Sequence, residues 1–433
     1  MTVTTDATQD YLIPDEIAQH AVLPASYADE ESKVYPAYAW LRKNNPFGLA
    51  RLDNYDPLWL VTKHADLFEV ERQPELFTSG VLNPILADQP GDAFIRGLTG
   101  GSYRTLDVVV YMDPPEHTKV RAVANKWFMP RNVRRYEAQM RELARQAVDR
   151  VLAVDGECDF VKDFALGYPL HVMMSLFGVP EADEPILLQL TQEFFGVHDD
   201  EVGPQQPAPD PDAATRAFAA AAQGFFSYFS ALNADRRAHP RDDLLSLIAN
   251  SEIDGEPIPE RYANGWYMAV ATAGHDTTAS SISGGVYELA RRPDQLAKVR
   301  ADPALIPGLV EECVRWVSPV KHFMRAASRD TELRGRPIKA GDRLMLLYAS
   351  ANRDEEVFSR PDRFDVEREI RHVAFGTGPH VCVGMHVARL EMKVLFEELL
   401  PRIRGIELTG EPRWLKTNFV GGLRSMPVRL IRA

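Results

Sequence analysis

From Tyr262 to Ala290 the chain runs 29 residues without a Lys or Arg. Fully helical, that stretch would span about 44 Å at 1.5 Å per residue. It still carries His275, Asp276, Glu288 and many hydroxyls, which makes it a poor membrane span. A chain of 433 residues can bury a large core without staples. No composition shift divides it, so the simplest architecture is one large, mainly α-helical domain with a minor β part (α+β).

Helical periodicity supports that architecture. Amphipathic helices are expected over Arg134–Ala153, Pro185–Phe195 and Met385–Leu400, the last with Val387, Leu390 and Val394 on one stripe. Strands are expected at Asp56–Thr62, Arg343–Ala349 and Pro427–Ile431. The Pro- and acid-rich piece Asp199–Ala214 reads as a long surface loop, either a lid or a tolerated insertion.

The net charge of −13 argues against general binding to nucleic acid or anionic lipid. Three cysteines exclude a disulfide scaffold and suit a reducing cytosol. The N-terminus lacks a basic start followed by an apolar run, so no secretory signal is expected. The expected location is the cytoplasm.

The cysteines differ in their surroundings. Cys158 lies among carboxylates, which disfavour a thiolate, and Cys313 lies inside a helical pattern as a core residue. Cys382 sits in FGTGPHVCVG, Phe375–Gly384, a glycine-rich loop running into the Met385 helix. Glycines let the backbone approach closely, and N–H groups at the helix start favour negative charge on sulfur. A lone cysteine makes neither an iron–sulfur cluster nor a four-ligand zinc site. A cysteine–histidine nucleophile is conceivable, but no orienting acid is near in sequence. A single axial thiolate to haem iron is the best chemical fit.

Phe375, Gly378, His380, Cys382 and Gly384, spaced F-x-x-G-x-H-x-C-x-G, resemble the haem-binding signature of the cytochrome P450 superfamily. AGHDTT, Ala273–Thr278, resembles its distal-helix motif. E-x-x-R falls at Glu312 and Arg315, with Arg368 at the place of the arginine that locks to that pair. The resemblance covers roughly Tyr35 to Ala433, leaving residues 1–34 as an N-terminal extension before a catalytic domain over 35–433. It implies a single triangular helical body holding haem b (iron protoporphyrin IX) between the distal helix and the cysteine-loop helix. Stretches such as SPVKHFMR and TNFVGG look closest to bacterial enzymes hydroxylating α-terpineol and related small terpenes or aromatics.

In that reading Cys382 ligates iron, and Thr277 with Asp276 delivers protons to the distal oxygen. Gly274 and the Thr277 hydroxyl open the helix ladder there; His275 receives no role. His117 and Arg121 stand at i and i+4 after Pro114 and Pro115, so both can reach one anionic group. With Arg325 and His380 they resemble the haem-propionate residues. Glu312, Arg315, Arg368 and Phe375 support the loop. Pocket walls are expected at Tyr103, Val110, Ala269, Ala273, Val320, Phe323, Phe419 and Val420, whose apolar character suits a small hydrophobic substrate such as a monoterpene, terpene alcohol or alkyl-aromatic.

The chain carries no fused electron-transfer motif, so a ferredoxin with its reductase is the expected donor. Arg371, His372 and Arg389 would form the docking patch of what is expected to be a monomer. Other readings are a non-catalytic haem sensor or carrier, a peroxide-driven enzyme of the same fold, and a hydrolase using Cys382 as nucleophile.

Overall fold

The computed structural model describes residues 9–154, 156–195 and 211–433. A helical body forms most of it, and one five-stranded sheet lies at its side. The sheet has the order β1 (Phe47–Ala50), β2 (Leu58–Val61), β6 (Arg343–Leu347), β5 (His322–Ala327) and β3 (Phe77–Thr78). All pairs are antiparallel except β2 with β6. Leu58, Trp59, Leu60 and Val61 are all buried, the signature of a strand covered on both faces. A three-stranded sheet joins β7 (Ile403–Leu408) to β8 (Pro427–Arg432) and β4 (Cys158–Asp159).

Ten helices frame the site: α1 (His64–Glu71), α2 (Glu116–Asn125), α3 (Glu137–Ala153), α4 (Gly167–Phe177), α5 (Glu184–Phe195), α6 (Pro211–Ala238), α7 (Glu260–Ala273), α8 (Asp276–Arg291), α9 (Ile306–Val317) and α10 (Met385–Leu399). Three of the expected helices appear close to their expected bounds. The expected strand at Arg343 ends two residues early, where Tyr348 begins a helical turn. Most of the Asp199–Ala214 segment lies outside the described residues; its last four, Pro211–Ala214, open α6 rather than belonging to a loop.

The 29-residue charge-poor stretch is not one rod. It breaks between α7 and α8 at Gly274 and His275. Above the break, Gly265 lets the Asp107 carbonyl cross at a place where a Cβ would stand 2.0 Å from its oxygen. Below it, Gly285 accepts Cys313 and Gly284 accepts Val317, so α8 and α9 lie close together. Cys313 is thus a packed core residue, fully buried, as its helical setting implied.

Candidate functional site: a cysteine loop facing a broken helix

The loop before α10 rests on the end of α1. Thr377 N–H donates to the Glu71 carboxylate at 2.7 Å. Gly378 adopts φ 63°, and a Cβ there would stand 2.2 Å from the Glu71 carbonyl oxygen, so only glycine fits. Cys382 N–H closes the loop onto Phe375 O at 2.7 Å, and Arg389 stacks over the Phe375 ring.

Solvent reaches Cys382, yet enough protein surrounds the sulfur for desolvation to raise its pKa. The N–H groups of Gly384 and Met385 and the charges of Arg121 and Arg389 oppose that rise. The free thiol is therefore less acidic than a helix-start position alone suggests, and a cation at the sulfur would complete the ionisation. Cys158, beside Asp159 and Asp163, is pushed up to about 11 by burial and those carboxylates.

Four basic residues from α2, β5 and the loop converge. The His117 and His380 rings lie 4.2 Å apart, Arg121 donates to the Val381 carbonyl, and Arg325 donates to Met324 O at 2.8 Å. Burial and the neighbouring guanidinium of Arg121 hold His117 down at about 4. His380 is lowered by burial, Arg325, His117 and Arg121. The one carboxylate facing Arg325 is Glu71, at 3.8 Å. His117 is buried, and neither ring nitrogen has a partner. A positive cluster with an orphaned buried imidazole, beside an accessible cysteine sulfur, fits a flat metal ligand with carboxylate arms. The residues present fit haem.

On the opposite wall Thr277 Oγ1 donates to the Ala273 carbonyl at 2.9 Å, which Gly274 frees from the regular ladder. Asp276 starts α8, and burial raises its pKa. His275 is fully buried, 2.8 Å from Leu166 O through Nε2 and 3.2 Å from Asp276 through Nδ1. Glu391 of α10 is also buried, its pKa raised by desolvation and lowered only by the Thr278 hydroxyl. Neither of its oxygens has a hydrogen-bond partner.

The E-x-x-R pair is wholly buried rather than solvated. Arg315 donates to Glu312 twice, at 2.7 and 2.8 Å, and Arg368 lies 3.3 Å from the same carboxylate. Arg315 also reaches the carbonyls of Asn352 and Pro361, tying α9 to the segment before the loop.

Of the expected pocket walls, Val320 and Val420 form a bridge, and the Phe323 and Phe419 rings stand 5.5 Å apart. Ala269 and Val110 are partly accessible, and Ala273 is exposed. Tyr103 has Arg96 and Arg343 over its ring and packs at the edge of an apolar cluster that includes Ile13, Ala18 and Leu82. The docking patch is also less free than expected, because Arg389 and His372 share Glu311 and Arg371 pairs with Glu369. A groove of about 240 Å³ beside it is lined by Arg134, His386 and Lys393, the last paired with Glu397 at 2.7 Å. A second groove, about 510 Å³ between Lys126 and Asn250, has none of the cysteine, distal-acid or basic-cluster residues in its lining.

Sequence reasoning missed Glu71, Ser79 and Asp113. Ser79 lies 3.4 Å from His380, and Asp113 accepts the N–H groups of Ser79 and Gly80 at 2.8 Å. Asp113 stands in the DPPEH run already singled out, a local signal; Glu71 acts on a residue 306 positions away and leaves none.

Residues 98–423 match the Cytochrome P450 family. Over 423 residues, 97% of this chain and 99% of the relative, the chain is 51% identical to Cytochrome P450-terp of a Pseudomonas species. It is 35% identical to the Steroid C26-monooxygenase of Mycobacterium tuberculosis, covering 93% of this chain and 94% of that one. Among solved structures, CYP108D1 from Novosphingobium aromaticivorans superposes with a TM-score of 0.90 at 40% identity, covering 98% and 100% of the two chains. CYP268A2 of Mycobacterium marinum, in complex with pseudoionone, gives 0.84 at 32% identity over 94% and 97%.

Proposed function

The chain belongs to the cytochrome P450 family, and from that premise we propose that this haem-dependent monooxygenase hydroxylates a small hydrophobic molecule: a monoterpene, a terpene alcohol or an alkyl-aromatic. One observation carries the substrate class. The apolar walls Val320, Phe323, Phe419 and Val420 meet as a bridge and an edge-to-face aromatic pair, and the distal side offers only the small Ala269 and Ala273. Such a space excludes charge and suits a compact hydrocarbon. The names of two relatives, P450-terp and the pseudoionone-bound enzyme, agree with that class.

Haem, when bound, supplies the dioxygen activation, and the cysteine sulfur's electron donation favours O–O cleavage. The chain's residues do the rest. Cys382 would hold the iron, with its loop pinned by Glu71 and Phe375. His117, Arg121, Arg325 and His380 would bind the carboxylate arms, where two ionised acids find their counter-charges. The other two cysteines are a buried core thiol and Cys158, so neither offers a covalent tether and the cofactor is read as haem b. Asp276 would hold a proton and Thr277 a hydroxyl on the side of the site where haem, when bound, activates dioxygen. The Phe323–Phe419 pair keeps water from the reacting C–H bond.

Electrons would come from a ferredoxin and its reductase, docking at the groove beside α10 lined by Arg134, His386 and Lys393. No helix among the described residues is long and apolar enough to cross a membrane. The working form is read as a cytoplasmic monomer, with residues 1–34 as an extension to the 35–433 catalytic domain.

Two spectra test the reading. A strongly red-shifted Soret band in the reduced, carbon monoxide-treated protein is expected for a thiolate ligand. Small terpenes and alkylbenzenes are expected to shift the ferric spectrum; a response to fatty acids or steroids alone overturns the pocket assignment.

A further inference from the structure

His275 fills the break between the two distal half-helices and is wholly buried. Its Nε2 lies 2.8 Å from the Leu166 carbonyl oxygen, which only accepts, so Nε2 carries a hydrogen. In the neutral ring Nδ1 is then a bare lone pair. That nitrogen has no hydrogen-bond partner and faces Asp276 Oδ1 at 3.2 Å. Two acceptors this close, one fully buried and the other mostly so, favour a proton between them.

Burial favours the neutral form of the acid. Burial raises the Asp276 pKa, and His275 is the one chargeable group that acts on it. From α4 the neighbour at Gly274 is the uncharged Met173. On α10 the buried acid is Glu391, whose pKa burial also raises, and it does not act on Asp276. No cation from these elements favours the carboxylate; the first turn of α8 does so weakly.

We propose that His275 is a positioning residue for proton delivery: tied through Nε2 to the Leu166 carbonyl, it presents Nδ1 as the acceptor for a protonated Asp276 and keeps that acid loaded. The inference rests on the proposed role of Asp276 and Thr277. In the step, the Asp276 O–H bond breaks and a new O–H bond forms on the Thr277 hydroxyl, while the hydroxyl's own hydrogen leaves the Ala273 carbonyl and passes to the oxygen co-substrate, where the final O–H bond forms. The resulting carboxylate faces the Nδ1 lone pair and is repelled from it. Uptake of a solvent proton by the same carboxylate restores the hydrogen bond. Nothing is oxidised or reduced.

The holoenzyme in its diamagnetic ferrous, carbon monoxide-bound form gives a readout independent of turnover. Nitrogen-15 NMR of His275 near neutral pH is expected to show Nε2 protonated and Nδ1 bare. Infrared difference spectra are expected to show a protonated-carboxyl band that Asp276→Asn removes. A doubly protonated ring, an Nδ1–H tautomer, or no such band overturns the proposal. In turnover, His275→Leu is expected to lower product formed per electron consumed about tenfold, with substrate-induced spectral shifts and the carbon monoxide band retained. His275→Asn, which keeps one donor and one acceptor, is expected to restore most of that loss; equal yields in the two variants overturn the proposal. If Asp276→Asn itself leaves product yield unchanged, the relay reading fails on its own account, separately from the NMR result.

Discussion

Glu71, the last residue of a helix near the N-terminus, accepts the N–H of Thr377 at 2.7 Å, five residues before Cys382. The same carboxylate takes the Tyr348 hydroxyl at 2.5 Å and faces Arg325 at 3.8 Å. One buried acid thus links the cysteine loop, the small sheet and the basic cluster. Its pKa is raised by burial and pulled back by those partners.

Removing that acid strands three buried partners. Glu71→Ala is expected to cost about 3 kcal/mol, read as a lowered urea midpoint. The surviving protein is expected to show less of the thiolate-type carbon monoxide band, because the loop has lost its anchor. Glu71→Gln keeps the volume and is expected to lose less.

The Glu312–Arg315 pair has no exposure on either side chain. Glu312→Ala leaves two guanidinium groups, Arg315 and Arg368, uncompensated in the interior. A loss of about 3–5 kcal/mol is expected, enough to leave little folded protein with haem. Haem content per chain after purification measures it.

Thr277→Ala removes the hydroxyl held on the Ala273 carbonyl. Product formation is expected to fall about a hundredfold, while cofactor oxidation continues and peroxide accumulates. A parallel fall in electron consumption would place the defect outside proton delivery.

His322 is buried and neutral. Nδ1–H donates to Asn418 O at 2.6 Å, and Nε2 accepts the Leu86 N–H at 2.9 Å. Burial depresses its pKa from 6.5 to about 4. The folded chain therefore binds fewer protons at this ring than the unfolded chain does between those values. The contribution is complete above pH 6.5 and is lost as pH falls towards 4, amounting to about 2 kcal/mol by pH 5. Urea midpoints at pH 7.5 and pH 5 measure it; His322→Gln is expected to flatten that slope.

Phe419→Ala removes half of the aromatic pair over the pocket. Terpene affinity is expected to fall about tenfold, seen in spectral titration, with the carbon monoxide band unchanged.

How much of this was legible depended on the range of each interaction. Cys382, His380 and Phe375 share ten residues, so their spacing carries the chemistry. The distal pair lies in one run for the same reason. Glu312 and Arg315 stand three apart, yet only the structure shows them buried, since burial depends on Asn352 and Pro361 folding over them. The contact of Tyr103 with Arg343, 240 residues later, leaves no mark in the local run around the ring. His275 received no role because its meaning lies in Leu166, 109 residues earlier.

The His322 clasp carries a consequence for biosynthesis. Its two partners stand 236 residues before it and 96 after it. The ring is therefore held by chain made early and chain made much later, and both its nitrogens are engaged only once Asn418 has been synthesised. The cysteine loop and the α10 helix precede that point. A nascent polypeptide halted after α10 would have the cysteine loop but not the clasp on His322, so this long-range contact forms late in synthesis.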